Sequence, residues 1–288
     1  MNYFKRNLPE QNKLQNCLNG ISKEFDDYYQ SNSLKEDNFI RLHSSTLGKD
    51  ELISFSKAFL EGNITLGKYN ENYEKLACDI FDSNFAITSN SGSSANLIAI
   101  SSLVQAKMLN PGDKVIVPVL AWSTTVFPLA QYGLIPVYVD ISFDDFNLSK
   151  NAVEDCIKDH DIKAIMLIHT YGNPADLDFF VNLSRSKSIL LIEDNCESMG
   201  ATWNGKSTGS FGDVGTFSSY FSHHICTLEG GITVCKDKNL SDLMRSIRSH
   251  GWIRGLDINI RELEDFDQFD PSFLFLNTGY NLRLSDPQ

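Results

Sequence analysis

Phe85-Ala86-Ile87-Thr88-Ser89-Asn90-Ser91-Gly92-Ser93-Ser94-Ala95 is the stretch that decides the fold. Phe85-Ala86-Ile87-Thr88 reads as a short strand, the small residues of 91–95 as a turn, and the residues beyond it as a helix running through residue 109. The same alternation recurs downstream. Strands are predicted at 114–118, 136–139, 164–168 and 189–193, with helices at 123–132, 152–158 and 177–186 between them. Short β-rich segments come next, at 214–218 and 231–235. Apolar runs such as 165–168 and 189–192 suit strands buried on both faces. This order predicts an α/β fold, with a mainly parallel central sheet and helices on both faces. Upstream, Tyr73, Leu76, Ala77, Ile80 and Phe81 fall at helical intervals, and another helix is expected within 14–29. Residues 1–45 read as an N-terminal arm and 46–255 as the large domain. Residues 256–288 read as an acidic loop (256–271) and the start of a C-terminal region.

Composition excludes several classes. With 288 residues, 42% of them hydrophobic, the chain can bury a substantial core. It carries 25 basic and 37 acidic residues, a net charge of −12, and no polybasic run. That argues against nucleic acid or an anionic membrane as partner. The N-terminus has no apolar secretory region, and no apolar run is long enough to span a bilayer. The six cysteines (17, 78, 156, 196, 226 and 235) form no C-x-x-C and show no zinc-finger spacing with the histidines. They predict reduced thiols, a cytoplasmic location and no metal site.

Four segments carry candidate chemistry. Ser91-Gly92-Ser93-Ser94-Ala95 lies between strand and helix, where backbone N–H groups can approach a phosphate; an ordinary capped turn is the plainer reading. Trp122, in Ala121-Trp122-Ser123-Thr124-Thr125, comes just after a strand and can stack on a planar ring, or it can simply be core. Ile192-Glu193-Asp194-Asn195-Cys196-Glu197 ends a buried strand with carboxylates, and Asp194 could accept a hydrogen bond from a protonated pyridine nitrogen; a cap or salt bridge is commoner. The fourth is Gly215-Thr216-Phe217-Ser218-Ser219-Tyr220-Phe221-Ser222-His223-His224, continuing to Gly230-Gly231. A lone histidine is more often structural than catalytic.

Together these segments resemble the DegT/DnrJ/EryC1/StrS sugar aminotransferases, pyridoxal-phosphate enzymes of fold type I. The likeness runs from about residue 64 to 288. It includes His169-Thr170-Tyr171-Gly172-Asn173-Pro174-Ala175-Asp176, Arg248-Ser249-His250-Gly251 and Gly279-Tyr280-Asn281-Leu282-Arg283. The resemblance implies that Ser93, Ser94 and Ser218 hold the cofactor phosphate. It also implies that Trp122 stacks on the pyridine, Asp194 pairs with its nitrogen and Glu197 lies near the ring hydroxyl. Asn281 would reach the phosphate of a neighbouring subunit, which implies a homodimer with shared sites. Most members carry lysine where this chain has His223. The histidine version resembles the 3-dehydratase branch, and implies pyridoxal 5′-phosphate and pyridoxamine 5′-phosphate held non-covalently, with L-glutamate as amino donor. The expected substrate is a nucleotide-linked 4-keto-6-deoxyhexose, GDP-4-keto-6-deoxy-D-mannose in the colitose-type enzymes, and the expected product a 3,6-dideoxy-4-keto sugar of the kind used in O-antigens.

His223 would be the base, because imidazole moves protons near neutral pH but cannot hold the cofactor covalently. A second subtype of this branch carries an iron–sulfur cluster. Cys196 matches one of its positions, but 237–288 holds no cysteine to supply the rest. Family members usually continue for a small C-terminal domain, expected here to be largely absent. Two alternatives stay open from sequence: an ordinary nucleotide-sugar aminotransferase with another residue such as His224 in the lysine's role, and a catalytically silent binding or dimerisation remnant.

Overall fold

The structure is a computed structural model, and it describes residues 11–31, 47–254, 256 and 270–288. Much of the expected arm 1–45 and nearly all of the acidic loop 256–271 therefore lie outside the described residues. The chain divides into two compact units, Met1–Glu71 with Ser285–Gln288, and Asn72–Leu284.

The first unit contains α1 (Gln11–Ser31), α2 (Lys49–Leu60) and the start of α3 (Lys68–Ile80). The Gly48 N–H donates to Glu51 at 2.7 Å, which satisfies one of the orphan amides at the head of α2. Asp286 does the same for α3. Its carboxylate accepts the backbone N–H groups of Gly67 (2.9 Å), Tyr69 (3.3 Å) and Asn70 (3.1 Å), and a negative charge is favourable at a helix N-terminus.

The second unit is built on a seven-stranded sheet. Its strands are β1 (Phe85–Ser89), β2 (Lys114–Pro118), β3 (Ile135–Val139), β4 (Ile162–Ile168), β5 (Leu190–Asp194), β8 (Val214–Ser218) and β9 (Gly231–Cys235). A separate hairpin pairs β6 (Thr202–Trp203) with β7 (Lys206–Ser207). The order is β1-β9-β8-β5-β4-β2-β3. Only β9 runs against the rest, pairing antiparallel with both β1 and β8. The helices between them are α4 (Gly92–Gln105), α5 (Ser123–Gln131), α6 (Lys150–Asp159) and α7 (Leu177–Lys187), with α8 (Lys238–Arg248) after β9.

Strand pleating sends alternate residues to opposite faces. Val115, Val117, Ala164, Met166 and Ile192 pack with α4, α5 and α8. Ile116, Ile165, Leu167 and Leu191 pack with Val153 of α6 and with Leu177 and Phe180 of α7. Under β1, β8 and β9, a third cluster joins Ala77 of α3 to Phe81, Phe217 and Ile232. Helices thus cover both faces of the central strands, which is why their middles are mostly apolar. Glu74 of α3 pairs with Arg245 (2.5 Å) and the buried Arg248 (2.6 Å) of α8. Burial pushes its carboxyl up, but Arg248 and Arg245 outweigh that and hold it below the usual range.

Two helices, α2 and α8, were not expected from sequence. The helix predicted through residue 109 stops at Gln105, because Ala106 caps it and Lys107 turns left-handed at φ 58°.

Because β9 is antiparallel, its first residue lies at the carboxyl edge of the other strands, where Gly231 faces both Ser89 and Ser218. A Cβ built on Gly231 would land on the Ser91 carbonyl and the Gly92 nitrogen. Backbone cannot yield there as a flexible side chain would. Gly231→Ala is therefore expected to destabilise the protein by about 1–3 kcal/mol, the usual cost of overpacking, measured by chemical denaturation. An unchanged midpoint would mean that the approach of β9 to α4 is loose.

Candidate active site

Ligand sites in open α/β sheets form at the carboxyl ends of the strands. Here β1 leads into the N-terminus of α4, β2 into Trp122, β5 ends at Asp194 and β8 at Ser218. These ends surround a cavity of about 510 Å³, within the range of small-molecule sites. Ser93, Trp122, Asp194, Glu197, Ser218 and His223 line it, together with Thr125, Cys196 and Tyr220.

The small residues at the head of α4 have two structural roles. Ser91 caps the helix, its hydroxyl accepting the Ser94 N–H at 3.1 Å. Gly92 lets the helix approach β8: a Cβ there would meet Ser218 Cβ at 2.6 Å and Cys196 Sγ at 3.0 Å. Ser93 faces the cavity and donates to Thr124 at 2.9 Å. Ser94 is buried beneath it and donates to Asn90 at 2.6 Å, so it does not line the cavity. Asn281 does not line it either; it is exposed, and its backbone bridges to Ser249.

Asp194 is 5% exposed and held from three sides. Its Oδ2 accepts from Asn96 (2.9 Å) and Thr125 (2.8 Å), and its Oδ1 from the Cys196 N–H (3.1 Å). Asn96 is itself pinned, accepting the Thr216 hydroxyl at 2.6 Å. The preceding residue, Glu193, points to the opposite face and is fully buried. It accepts from His169 (3.1 Å) and from the N–H groups of Gly209 (2.8 Å), Phe211 (2.9 Å) and Gly212 (2.7 Å). Burial raises the Glu193 carboxyl, and the bonds from His169, Gly212 and Gly209 outweigh it, leaving a net lowering. The other His169 nitrogen accepts the Ala175 N–H at 3.0 Å, so the nitrogen facing Glu193 carries the proton.

Glu197 accepts the Tyr171 N–H at 2.8 Å, and Tyr171 sits left-handed at φ 57°. Trp122 is 73% exposed at the rim of the cavity, so it is not a core residue. Cys196 lies beside Asp194, and burial reinforced by that carboxylate pushes its thiol well above the ordinary range. Among the described residues, no three histidine, cysteine or acidic side chains group as a metal site.

His223 sits half-buried on the turn after β8, its ring edge-on to Tyr220 at 6.3 Å between centroids. Burial lowers its pKa from the ordinary 6.5, His224 lowers it further, and Glu197 and Asp194 pull the other way without prevailing. His224 is exposed and does not line the cavity, and among the described residues no lysine lines it. Sequence reasoning missed Asn96 and the buried His169–Glu193 pair. An asparagine among the small and apolar buried residues of a helix was the available signal for the first.

Known proteins share this architecture. GDP-4-keto-6-deoxy-D-mannose 3-dehydratase of Yersinia pseudotuberculosis is 42% identical over 246 residues, covering 84% of this chain and 62% of that protein. The Escherichia coli O55:H7 protein of the same name is 40% identical, over 84% of this chain and 63% of its own length. The solved structure of E. coli GDP-4-keto-6-deoxy-D-mannose-3-dehydratase with bound hydrated PLP superposes with a TM-score of 0.80 at 38% identity, covering 86% of this chain and 65% of that one. The chain thus spans less than two thirds of the length of these relatives. The sheet and its helices are those of fold type I pyridoxal-phosphate enzymes. The pattern of the DegT/DnrJ/EryC1/StrS aminotransferase family matches residues 45–288, and the chain belongs to that family.

Proposed function

We propose that this chain carries the cofactor-binding core of a 3-dehydratase acting on a nucleotide-linked 4-keto-6-deoxyhexose, GDP-4-keto-6-deoxy-D-mannose by likeness to its relatives. The observation that carries the reading is His223, a half-buried imidazole with lowered pKa lining a cavity that no described lysine reaches. Aminotransfer in this fold needs a lysine to hold the cofactor and return a proton to the sugar, so the aminotransferase alternative loses its central residue.

The residues suit pyridoxal or pyridoxamine phosphate. The cavity gives a phosphate a place beside Ser93, Ser218 and the amides opening α4. Trp122 offers a ring face, and Asp194, held by three donors, offers an acceptor to a protonated pyridine nitrogen. When bound, the cofactor supplies an amino group and an electron sink. His223 would move the protons: one from the C4′ carbon of the bound cofactor, and one to the C3 hydroxyl of the sugar, which would leave as water. Glutamate is the two-electron donor: glutamate and the keto sugar become 2-oxoglutarate, ammonia and the 3-deoxy-4-keto sugar. Glu197, fixed by the Tyr171 N–H, would lie near the ring hydroxyl. Asn281, exposed and away from its own chain's cavity, is assigned to the phosphate of a second copy, so the working form is a homodimer. All six cysteines are free, consistent with a cytoplasmic location, and among the described residues no helix is long and apolar enough to cross a membrane.

Purified protein given pyridoxal phosphate, glutamate and GDP-4-keto-6-deoxymannose is expected to release ammonia and the 3-deoxy sugar; a stable 4-amino sugar without ammonia would refute the dehydratase reading. His223→Lys is expected to bind pyridoxal phosphate covalently, gain a visible absorption band and lose dehydration, whereas an unchanged spectrum would remove residue 223 from the cofactor. Because its pKa is lowered, His223 stays an unprotonated base until the pH falls below 6.5. The acid limb of kcat/KM should lie below that value, and a limb above it would mean another group is the base.

A further inference from the structure

Asn96 is 2% exposed and lies one turn into α4, a helix whose other buried residues are apolar or small. A buried amide in such a helix is costly unless its groups are bonded. Here both ends are bonded. A carboxylate only accepts, so the Asn96 NH₂ must face Asp194, at 2.9 Å. The same nitrogen also reaches the Thr124 carbonyl at 3.3 Å. The Asn96 oxygen therefore faces β8, where the Thr216 hydroxyl donates to it at 2.6 Å. Thr125, 1% exposed, donates to the same Asp194 oxygen at 2.8 Å. Thr216 on β8, Asn96 on α4 and Asp194 on β5 thus form one directed relay across three elements.

We propose that Asn96 is a positioning residue for the cofactor: oriented by Thr216, it fixes the Asp194 carboxylate so that its remaining acceptor capacity faces the pyridine nitrogen. This rests on the cofactor reading above. The two donors on Oδ2 stop the carboxylate from rotating, and leave Oδ1, which accepts the Cys196 N–H, as the oxygen able to face the ring. Cofactor affinity then depends on a residue that lies behind the carboxylate.

The test is Asn96→Asp, which keeps shape and removes the donor only when the new side chain is ionised. Two carboxyl groups about 3 Å apart resist double ionisation and share a proton. At low pH that proton stands in for the amide hydrogen, and at higher pH it is lost. The titratable groups lining the cavity with Asp194 are Cys196 and Glu197 on the turn after β5, and Tyr220, His223 and Glu229 between β8 and β9; α4, α5 and β8 contain none. These are common to both proteins, so the ratio of variant to wild type isolates residue 96. The probe is pyridoxamine phosphate alone, titrated calorimetrically from pH 5.5 to 8.5. The expected dissociation-constant ratio is within about threefold at pH 5.5 and at least about tenfold at pH 8.5, as the shared proton leaves. A ratio constant with pH, as a merely structural defect would give, overturns the proposal. Should N96D fail to fold, Thr216→Val, which releases the amide, is expected to weaken pyridoxamine phosphate at least threefold, and equal affinity overturns the proposal. Wild-type protein that does not bind pyridoxamine phosphate would refute the cofactor reading itself, whereas wild-type binding with a flat ratio refutes only the role of Asn96.

Discussion

The site depends on a buried carboxylate at the end of β5. Taking Asp194 out of water costs several kcal/mol unless donors replace its hydration. The replacements come from α4, α5 and the turn after β5, with β8 behind Asn96. Each of those elements must reach its place for the charge to be tolerated, so Asp194 is also what aligns them. Glu193 repeats the arrangement on the opposite face, gathering the 209–212 turn and His169. Adjacent residues of one strand thus tie both faces of the sheet to the same edge.

That edge explains the behaviour of His223. The turn carrying it leaves β8 and the chain returns in β9, which is reversed, so Gly231 comes back beside Ser218 and Ser91. The histidine is held over the cavity by a short excursion between paired strands. Two acidic side chains nearby favour the imidazolium, while burial and His224 disfavour it, and burial is the largest influence. The outcome is an imidazole of lowered pKa on a cavity that the Asp194 carboxylate also lines. Proton transfer without covalent attachment is the chemistry such a pairing supports.

Much of this was legible in the sequence, and the reasons are local. The runs 114–118, 164–168 and 214–218 are mostly apolar or β-branched because helices or a third apolar cluster cover both faces, and each lies in a strand of the structure. The residues singled out at strand ends gather at one cavity because all strands of the seven-stranded sheet but β9 point the same way. What was not legible depended on partners distant in sequence. The reversal of β9 is set by its pairing with β1, about 150 residues earlier, and leaves no periodic trace. Helix α8 does carry the stripe Leu240, Met244 and Ile247, but it lies in a strongly polar segment. Ser94 looked equivalent to Ser93, yet helix geometry turns it inward to Asn90. Asn96 looked like one more polar residue in a serine-containing helix until Asp194, 98 positions away, gave it a partner.

The most direct measurement is a crystal structure of the protein with pyridoxamine phosphate bound. The account predicts an Asp194 oxygen within about 2.6–3.2 Å of the pyridine nitrogen and the His223 imidazole facing the C4′ carbon, within reach directly or through one water. A pyridine nitrogen paired elsewhere, or a His223 ring turned away from C4′ toward solvent, would contradict it.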